Sequence, residues 1–261
     1  MRKALVFFDI DRTIWDEKQN IPDSTIRALK QLRKNGHKVF LNSGRTRAFI
    51  RNEDVMELSL DGVVAGCGTY VESDHEVLLN HTIERNLLVR TIDIFKTHHM
   101  PLVLEGCDYL FADAEDFPDD PFFEILKHVM GDCLIPIEGA GCDIRINKYS
   151  VNLADNNLSE MLGDLSINYN IIMHGEDFME VVPKGFSKAS GMKLLSEHFG
   201  IPMEDTFAFG DSSNDIDMLK AAGKGIVMGN GTDDAKSVGD YITKDLEDDG
   251  VEHALNMFGL I

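Results

Sequence analysis

The sequence predicts an α/β protein with a doubly wound core built from both ends of the chain and an α+β domain inserted between them. Short apolar runs that stop at an acidic or small polar residue alternate with amphipathic stretches of helical period near both termini. Between about residues 83 and 183 this texture gives way to short strand candidates mixed with helices. The changes of texture fall near 81–84 and at Pro183-Lys184-Gly185, where Pro and Gly favour an interruption. The expected division is 1–82 plus 184–261 for the core and 83–183 for the insertion.

Residues 4–8 form a continuous apolar run ending at Asp9, as a buried parallel strand would. Asp23 and Ser24 offer an N-cap, and Ile26, Leu29 and Leu32 recur at helical spacing until Gly36. A second strand is expected over 38–41, a turn at Asn42-Ser43-Gly44, a helix near 46–58 and a third strand over 61–65. In the insertion, strands are expected at 102–105, 109–112, 144–154 and 178–182, with helices at 84–98, 120–129 and 157–165. The core pattern then returns as a helix over 187–199, a strand over 206–209, a helix over 215–222 and a strand over 225–228. There is no internal repeat and no low-complexity run. The acidic stretches at 117–120 and 246–250 read as solvated loops.

A chain of 261 residues with 43% hydrophobic residues has enough apolar surface for a real core. Its formal net charge of −20 repels phosphate backbones and anionic bilayers, so neither nucleic acid nor membrane is an expected partner. A small anionic substrate stays compatible where a cation reverses the local field. No apolar run approaches the roughly 20 residues of a bilayer span, and Asp9 and Asp11 interrupt any signal-peptide core. Cys67, Cys107, Cys133 and Cys142 are scattered without a C-x-x-C pair, which fits reduced thiols in the cytoplasm.

Four motifs carry chemistry. Asp9-Ile10-Asp11-Arg12-Thr13 leaves the first strand at its carboxyl end, where open α/β sheets place their ligands. One carboxylate there can attack while the other moves protons, although acidic pairs in turns are often only solvated or capping. Asp211-Ser212-Ser213-Asn214-Asp215 follows another apolar strand and opens a helix. Carboxylates from two strand ends make an all-oxygen site of the kind magnesium prefers, while Ser212 or Asn214 could also cap the helix. Ser43, before a helix, offers a hydroxyl and backbone N–H groups as an anion seat. Lys188 can supply a compact positive charge. Singly, the last two are commonplace: turn serines usually cap and helix lysines are usually solvated.

In this order the motifs resemble those of the haloacid dehalogenase (HAD) superfamily. The insertion between the second and third motifs is similar to the Cof-type sugar-phosphate phosphatases. So are Pro183-Lys184-Gly185-Phe186-Ser187-Lys188, Ile146-Asn147-Lys148-Tyr149-Ser150 and the tail from Met228-Gly229-Asn230-Gly231 to Asp249-Gly250-Val251. The resemblance implies a Rossmann-like HAD core with an inserted substrate-specificity cap, and the two chain crossings are expected to act as hinges on which the cap closes to exclude water and choose the substrate. It implies a Mg2+-dependent phosphatase acting through an aspartyl-phosphate. Asp9 is then the nucleophile, and Asp11 the general acid and later base. Ser43, Gly44 and Lys188 hold phosphate with help from Asn214. The Asp9 carboxylate, the Asp11 backbone carbonyl and Asp211 ligate the metal, while Asp215 orients Lys188 or a metal-bound water. The substrate class implied is a small phosphorylated metabolite, first a sugar phosphate, with flavin or pyridoxal phosphate as further options. The protein is expected to be a monomer or a weak homo-oligomer.

Two positions depart from the family pattern. Arg12 stands where glycine is usual and either touches substrate or packs at the domain junction. Cys67-Gly68 replaces a common Asn-Gly pair, so any amide contact made there in relatives is in doubt. Other lures are incomplete: Gly229-Asn230-Gly231 lacks a dinucleotide fingerprint, the histidines have no zinc set, and Ser43 sits in no G-x-S-x-G elbow. A phosphosugar mutase and a non-catalytic sugar-phosphate sensor remain alternatives on the same fold.

Overall fold

The computed structural model describes residues 3–52, 55, 57, 58, 60–139, 144–153 and 159–261. The chain forms two compact units: Met1–Gly44, Arg51–Leu79 and Phe186–Ile261 make the first, and Arg45–Ile50 with Asn80–Gly185 the second.

The first unit is built on β1 (Leu5–Phe8), buried along its whole length. Such a strand needs cover on both faces and parallel neighbours, which it finds in β2 (Lys38–Asn42) and β12 (Thr206–Gly210). From β1 the sheet continues through β2 to β3 (Gly62–Ala65), and on the other side through β12, β13 (Lys224–Val227) and β14 (Tyr241–Ile242), all parallel. Strand order therefore changes direction at β1, the topological position where α/β sheets open a crevice. Leu5, Phe7 and Phe40 pack with Met192 and Leu195 of α5 (Lys188–Phe199) and Met218 of α6 (Ile216–Ala221) on one face. The alternation of side chains sends Val6, Phe8, Val39 and Leu41 to the other face, where α1 (Asp23–Lys34) packs with α7 (Gly250–Met257).

Several expectations change in detail. The first helix has Pro22 at its N-cap and no side-chain cap; Asp23 is already in the first turn and Ser24 is buried. The stretch 46–58 is not one helix: Arg47–Phe49 is a single 3-10 turn, 50–52 is irregular, and 53, 54 and 56 lie outside the described residues. After β3 comes an unanticipated pair, β4 (Tyr70–Ser73), antiparallel to β3, and β5 (Glu76–Asn80) at the sheet edge. The turn between them places Asp74 and His75 at φ 48° and 67°. A turn with two positive φ values usually announces itself by Asn-Gly or Asp-Gly, and here that signal is missing.

The second unit is a six-stranded sheet, in the order β10 (Tyr169–His174), β11 (Phe178–Pro183), β9 (Lys148–Asn152), β6 (Leu102–Glu105), β7 (Leu110–Phe111) and β8 (Leu134–Ile135). All pairs are antiparallel except β7 with β8. Helices α2 (Arg85–Thr97), α3 (Pro121–Met130) and α4 (Ser159–Leu165) accompany it. The ends of the expected segments at 154 and 157–158, and Cys142, lie outside the described residues. Period-two alternation on β9 sends Tyr149 and Val151 into the apolar core with Phe95, Met179 and Val181. It sends Lys148 and Ser150 to the opposite face, where they meet Glu105 and Glu180. Thr46 donates to Glu105 at 3.0 Å and His174 lies 3.1 Å from Glu180, so this buried charge cluster is fully interlinked.

Candidate active site

Everything that positions the site begins at the carboxyl edge of the parallel sheet. The Asp9 N–H donates to Phe209 O at 2.9 Å, extending the β1–β12 pairing by one residue and bringing the ends of two strands together. Asp9 and Asp211 are both buried, 4% and 2% exposed. The chain then winds tightly: Thr13, Ile14 and Trp15 all donate backbone N–H groups to Ile10 O, and Arg12 takes φ 58°. That left-handed position explains why glycine is the easier occupant.

Lys188 opens α5 and is 1% exposed. Its ammonium lies 2.6 Å from Asp9 Oδ1, 2.6 Å from Asp215 Oδ1 and 3.4 Å from Asn214 Oδ1. Asn42, at the end of β2, donates to Lys188 O at 3.1 Å, tying the second motif to the third. Ser43 is buried and in line with β3 through Ser43 N–H to Val64 O at 2.9 Å. Gly44 is likewise buried beside it. The turn Gly66-Cys67-Gly68 backs onto Ser43, with Cys67 N–H donating to Ser43 O at 3.1 Å. At Gly68, φ is +83° and a Cβ would stand 2.2 Å from Ser187 O, so this position needs glycine.

In the fourth motif the capping group is Asp215 together with Ser212, rather than Asn214. Asp215 Oδ2 accepts from Asp211 N at 2.8 Å and Ser212 N at 3.0 Å, while Oδ1 holds Lys188. Asn214 instead turns its carbonyl oxygen toward Lys188 and Ser212 Oγ.

Carboxylate oxygens of Asp9, Asp211 and Asp215 all lie within 4.8 Å of one another. Burial, followed by repulsion from Asp215, raises the Asp211 carboxyl to about 7, against the opposing pull of Lys188 and Arg12. Burial also raises Asp9 well above the ordinary carboxylate range, with Asp215, Asp11 and Asp211 adding to it and Lys188 opposing. Lys188 is itself raised: burial works against its charge, but Asp215 and Asp9 outweigh it. Three buried acids thus stand beside one buried cation, which bonds two of them, Asp9 and Asp215. An all-oxygen donor set with surplus negative charge fits a hard divalent cation such as Mg2+.

Three positions escaped the sequence reading. Trp15 donates its indole N–H to Asp11 Oδ1 at 3.0 Å; the signal was its being the only tryptophan, four residues after Asp11. Asp217, on α6, accepts from Ala189 N and caps α5. Asn230 accepts from Arg12 Nη2 through its carbonyl at 3.0 Å, returns Nδ2 to Arg12 O at 2.9 Å, and receives Leu246 N on Oδ1. Arg12, with Asp16, Lys18, Asn230 and Asp245, lines an open cavity of about 400 Å³.

Residues 6–255 match the family model of haloacid dehalogenase-like hydrolases. YkrA of Bacillus subtilis (strain 168), which carries a phosphatase name, is 28% identical over the full length of both chains. The 5-amino-6-(5-phospho-D-ribitylamino)uracil phosphatase YitU of the same organism is 26% identical over 97% of each. A solved sugar phosphatase of HAD subclass IIB superposes with a TM-score of 0.84 at 27% identity, covering 99% of this chain and 100% of the other.

Proposed function

The chain belongs to the haloacid dehalogenase-like hydrolase family and is a phosphatase, and from that premise we propose how it works and on what. It hydrolyses a small phosphomonoester, with sugar phosphates as the first class, using Mg2+ and a phosphoryl group carried on Asp9. The observation that carries this reading is the buried Asp9–Lys188–Asp215 chain at 2.6 Å per link, beside Asp211.

A phosphate monoester brings negative charge into a site already rich in carboxylates, so attack by Asp9 needs cations close by. Lys188 is one. The Asp9 carboxylate, the Asp11 carbonyl and Asp211 would hold Mg2+, whose charge offsets that of the transferring phosphoryl group. Ser43, Gly44 and Asn214 join Lys188 in holding the phosphoryl oxygens. Asp9 attacks phosphorus, the ester P–O bond breaks, and Asp11 gives its proton to the leaving alkoxide. Water then attacks the phosphorus, returns a proton to Asp11, and breaks the bond to Asp9, releasing inorganic phosphate. Covalent catalysis of this kind divides one difficult displacement into two easier ones. Choice of substrate is assigned to the inserted unit, residues 83–183. Among the described residues no helix is long and apolar enough to cross a membrane, and none of Cys67, Cys107 and Cys133 forms a disulfide. A cytoplasmic location belongs to the same reading, on the scattered cysteines without a C-x-x-C pair.

The test is phosphate release from a panel of phosphomonoesters, with Mg2+ and with chelator, for wild type and Asp9→Asn. Turnover lost with chelator and lost in the variant is the expected result, and the ranking of esters then names the substrate class. A folded protein that turns over no ester would move the assignment to a mutase or a sensor.

A further inference from the structure

We propose that Trp15 is a positioning residue for Asp11, fixing the carboxylate that exchanges protons with the leaving alcohol. The inference rests on the role given to Asp11 above and adds a residue that the four motifs do not contain.

Trp15 is the single tryptophan of the chain and is 2% exposed. Its Nε1–H donates to Asp11 Oδ1 at 3.0 Å. The tight winding after β1 produces this contact, because Ile10 O accepts from three successive N–H groups and returns the chain beneath Asp11. Backbones of Asp11 and Trp15 also meet in an isolated bridge. The next turn is locked by Asp16, whose carboxylate accepts from Lys18 N, Asn20 N and Asn20 Nδ2. Ile10 and Ile14 are fully buried on either side of the winding. The indole is therefore a buried support on a hydrogen-bonded turn.

An indole N–H donates and cannot accept. A carbonyl oxygen accepts better than a hydroxyl oxygen, so the bond at Oδ1 of Asp11 favours the exchangeable proton on Oδ2. One ring thus selects both the orientation of the carboxyl group and the oxygen that does the proton transfer. A group that must meet a leaving oxygen at hydrogen-bond distance is sensitive to such support, since a displacement of about 1 Å can cost on the order of 100-fold in rate.

The experiment compares kcat/KM for glycerol 2-phosphate and p-nitrophenyl phosphate in wild type, Trp15→Phe and Asp11→Asn. This quantity reports steps through departure of the leaving group, and a nitrophenolate leaves without a proton. Trp15→Phe is expected to lower kcat/KM about tenfold for the alkyl ester and by less than about twofold for the aryl ester, a part of the roughly 100- to 10,000-fold that general acids supply. Asp11→Asn should show the same selectivity more strongly. A uniform fall, or no fall, in Trp15→Phe while Asp11→Asn remains selective would overturn the inference. If Asp11→Asn itself is unselective, the role given to Asp11 fails instead. Should Trp15→Phe fold poorly, the one indole N–H resonance of the wild-type chain supplies a second reading. It should shift on Asp11→Ala, and an unmoved signal would remove the contact and the proposal with it.

Discussion

At the scale of single residues, Lys188 decides the balance of the site. It is the buried cation shared by Asp9 and Asp215, and removing one partner of a buried ion pair costs about 3–5 kcal/mol. Lys188→Met should therefore abolish phosphate release and lower stability in urea. The loss should be smaller at pH 5 than at pH 8, since Asp9, already raised by its burial, can take up a proton when the cation is gone. Equal destabilisation at both pH values would contradict this account. Lys188→Arg should not restore turnover, because a planar guanidinium cannot reproduce two contacts made by one compact ammonium. Arg12 shows the limits of residue-level reading. Its sequence position marked it as unusual, but the structure ties it by two hydrogen bonds to Asn230, more than two hundred residues away. No local pattern encodes that partner.

Among the elements, the connections matter as much as the strands. Gly68 sits where α5 begins, and Gly68→Ala would drive a Cβ into Ser187 O while forcing φ +83° on a residue that resists it. A loss of about 1–3 kcal/mol is expected from the strained backbone alone, measurable by urea denaturation. On β9 the alternation that buries Tyr149 also buries Lys148 between Glu105 and Glu180. Against the upward push of burial, the charge of Lys148 and the hydrogen bond from His174 hold Glu180 well below the usual carboxylate range. Lys148→Met should destabilise the second unit strongly, and Lys148→Met with Glu180→Leu should recover part of the loss, as a double-mutant cycle would show. The continuous apolar run of β1 and the helical spacing of α1 were legible because burial on both faces and on one face leave different periods. The β4–β5 hairpin was not, because Asp74 and His75 make its turn without glycine. The expected helix over 46–58 does not begin at residue 46, although Val55 is helical: at its expected start, Ala48 and Phe49 are drawn into an apolar cluster with Val103, Leu110 and Phe123, and tertiary packing overrides local propensity.

For the whole molecule, the charge of −20 and the acid-rich site predict a stability that depends on pH and on a bound divalent cation together. Asp211 titrates near 7 in the folded chain, where an ordinary aspartate titrates near 3.8. Between those values the unfolded chain has lost a proton that the folded chain keeps, so unfolding becomes more favourable as pH rises. Asp9 acts in the same direction. His37 and His81, lowered by their burial, act in the opposite direction from pH 5 towards neutrality, so the acids are isolated by comparing chelated wild type with Asp211→Asn. From pH 5 to pH 8 the Tm of the wild type should fall relative to that of the variant, and Mg2+ should raise the wild-type Tm more at pH 8 than at pH 5. Equal pH dependence in the two chains, or a Mg2+ effect larger at pH 5, would show that the acids are not coupled as the structure has them. By itself the sequence determined the doubly wound core, the insertion and the four motifs, because each is written in contiguous residues whose period or chemistry is local. Tertiary structure alone decided that Asp215 both caps the fourth motif and pairs Lys188, that Asn230 holds Arg12, and that Trp15 reaches Asp11. Those contacts depend on side-chain direction and on chain reversals, which residue identity and spacing leave open.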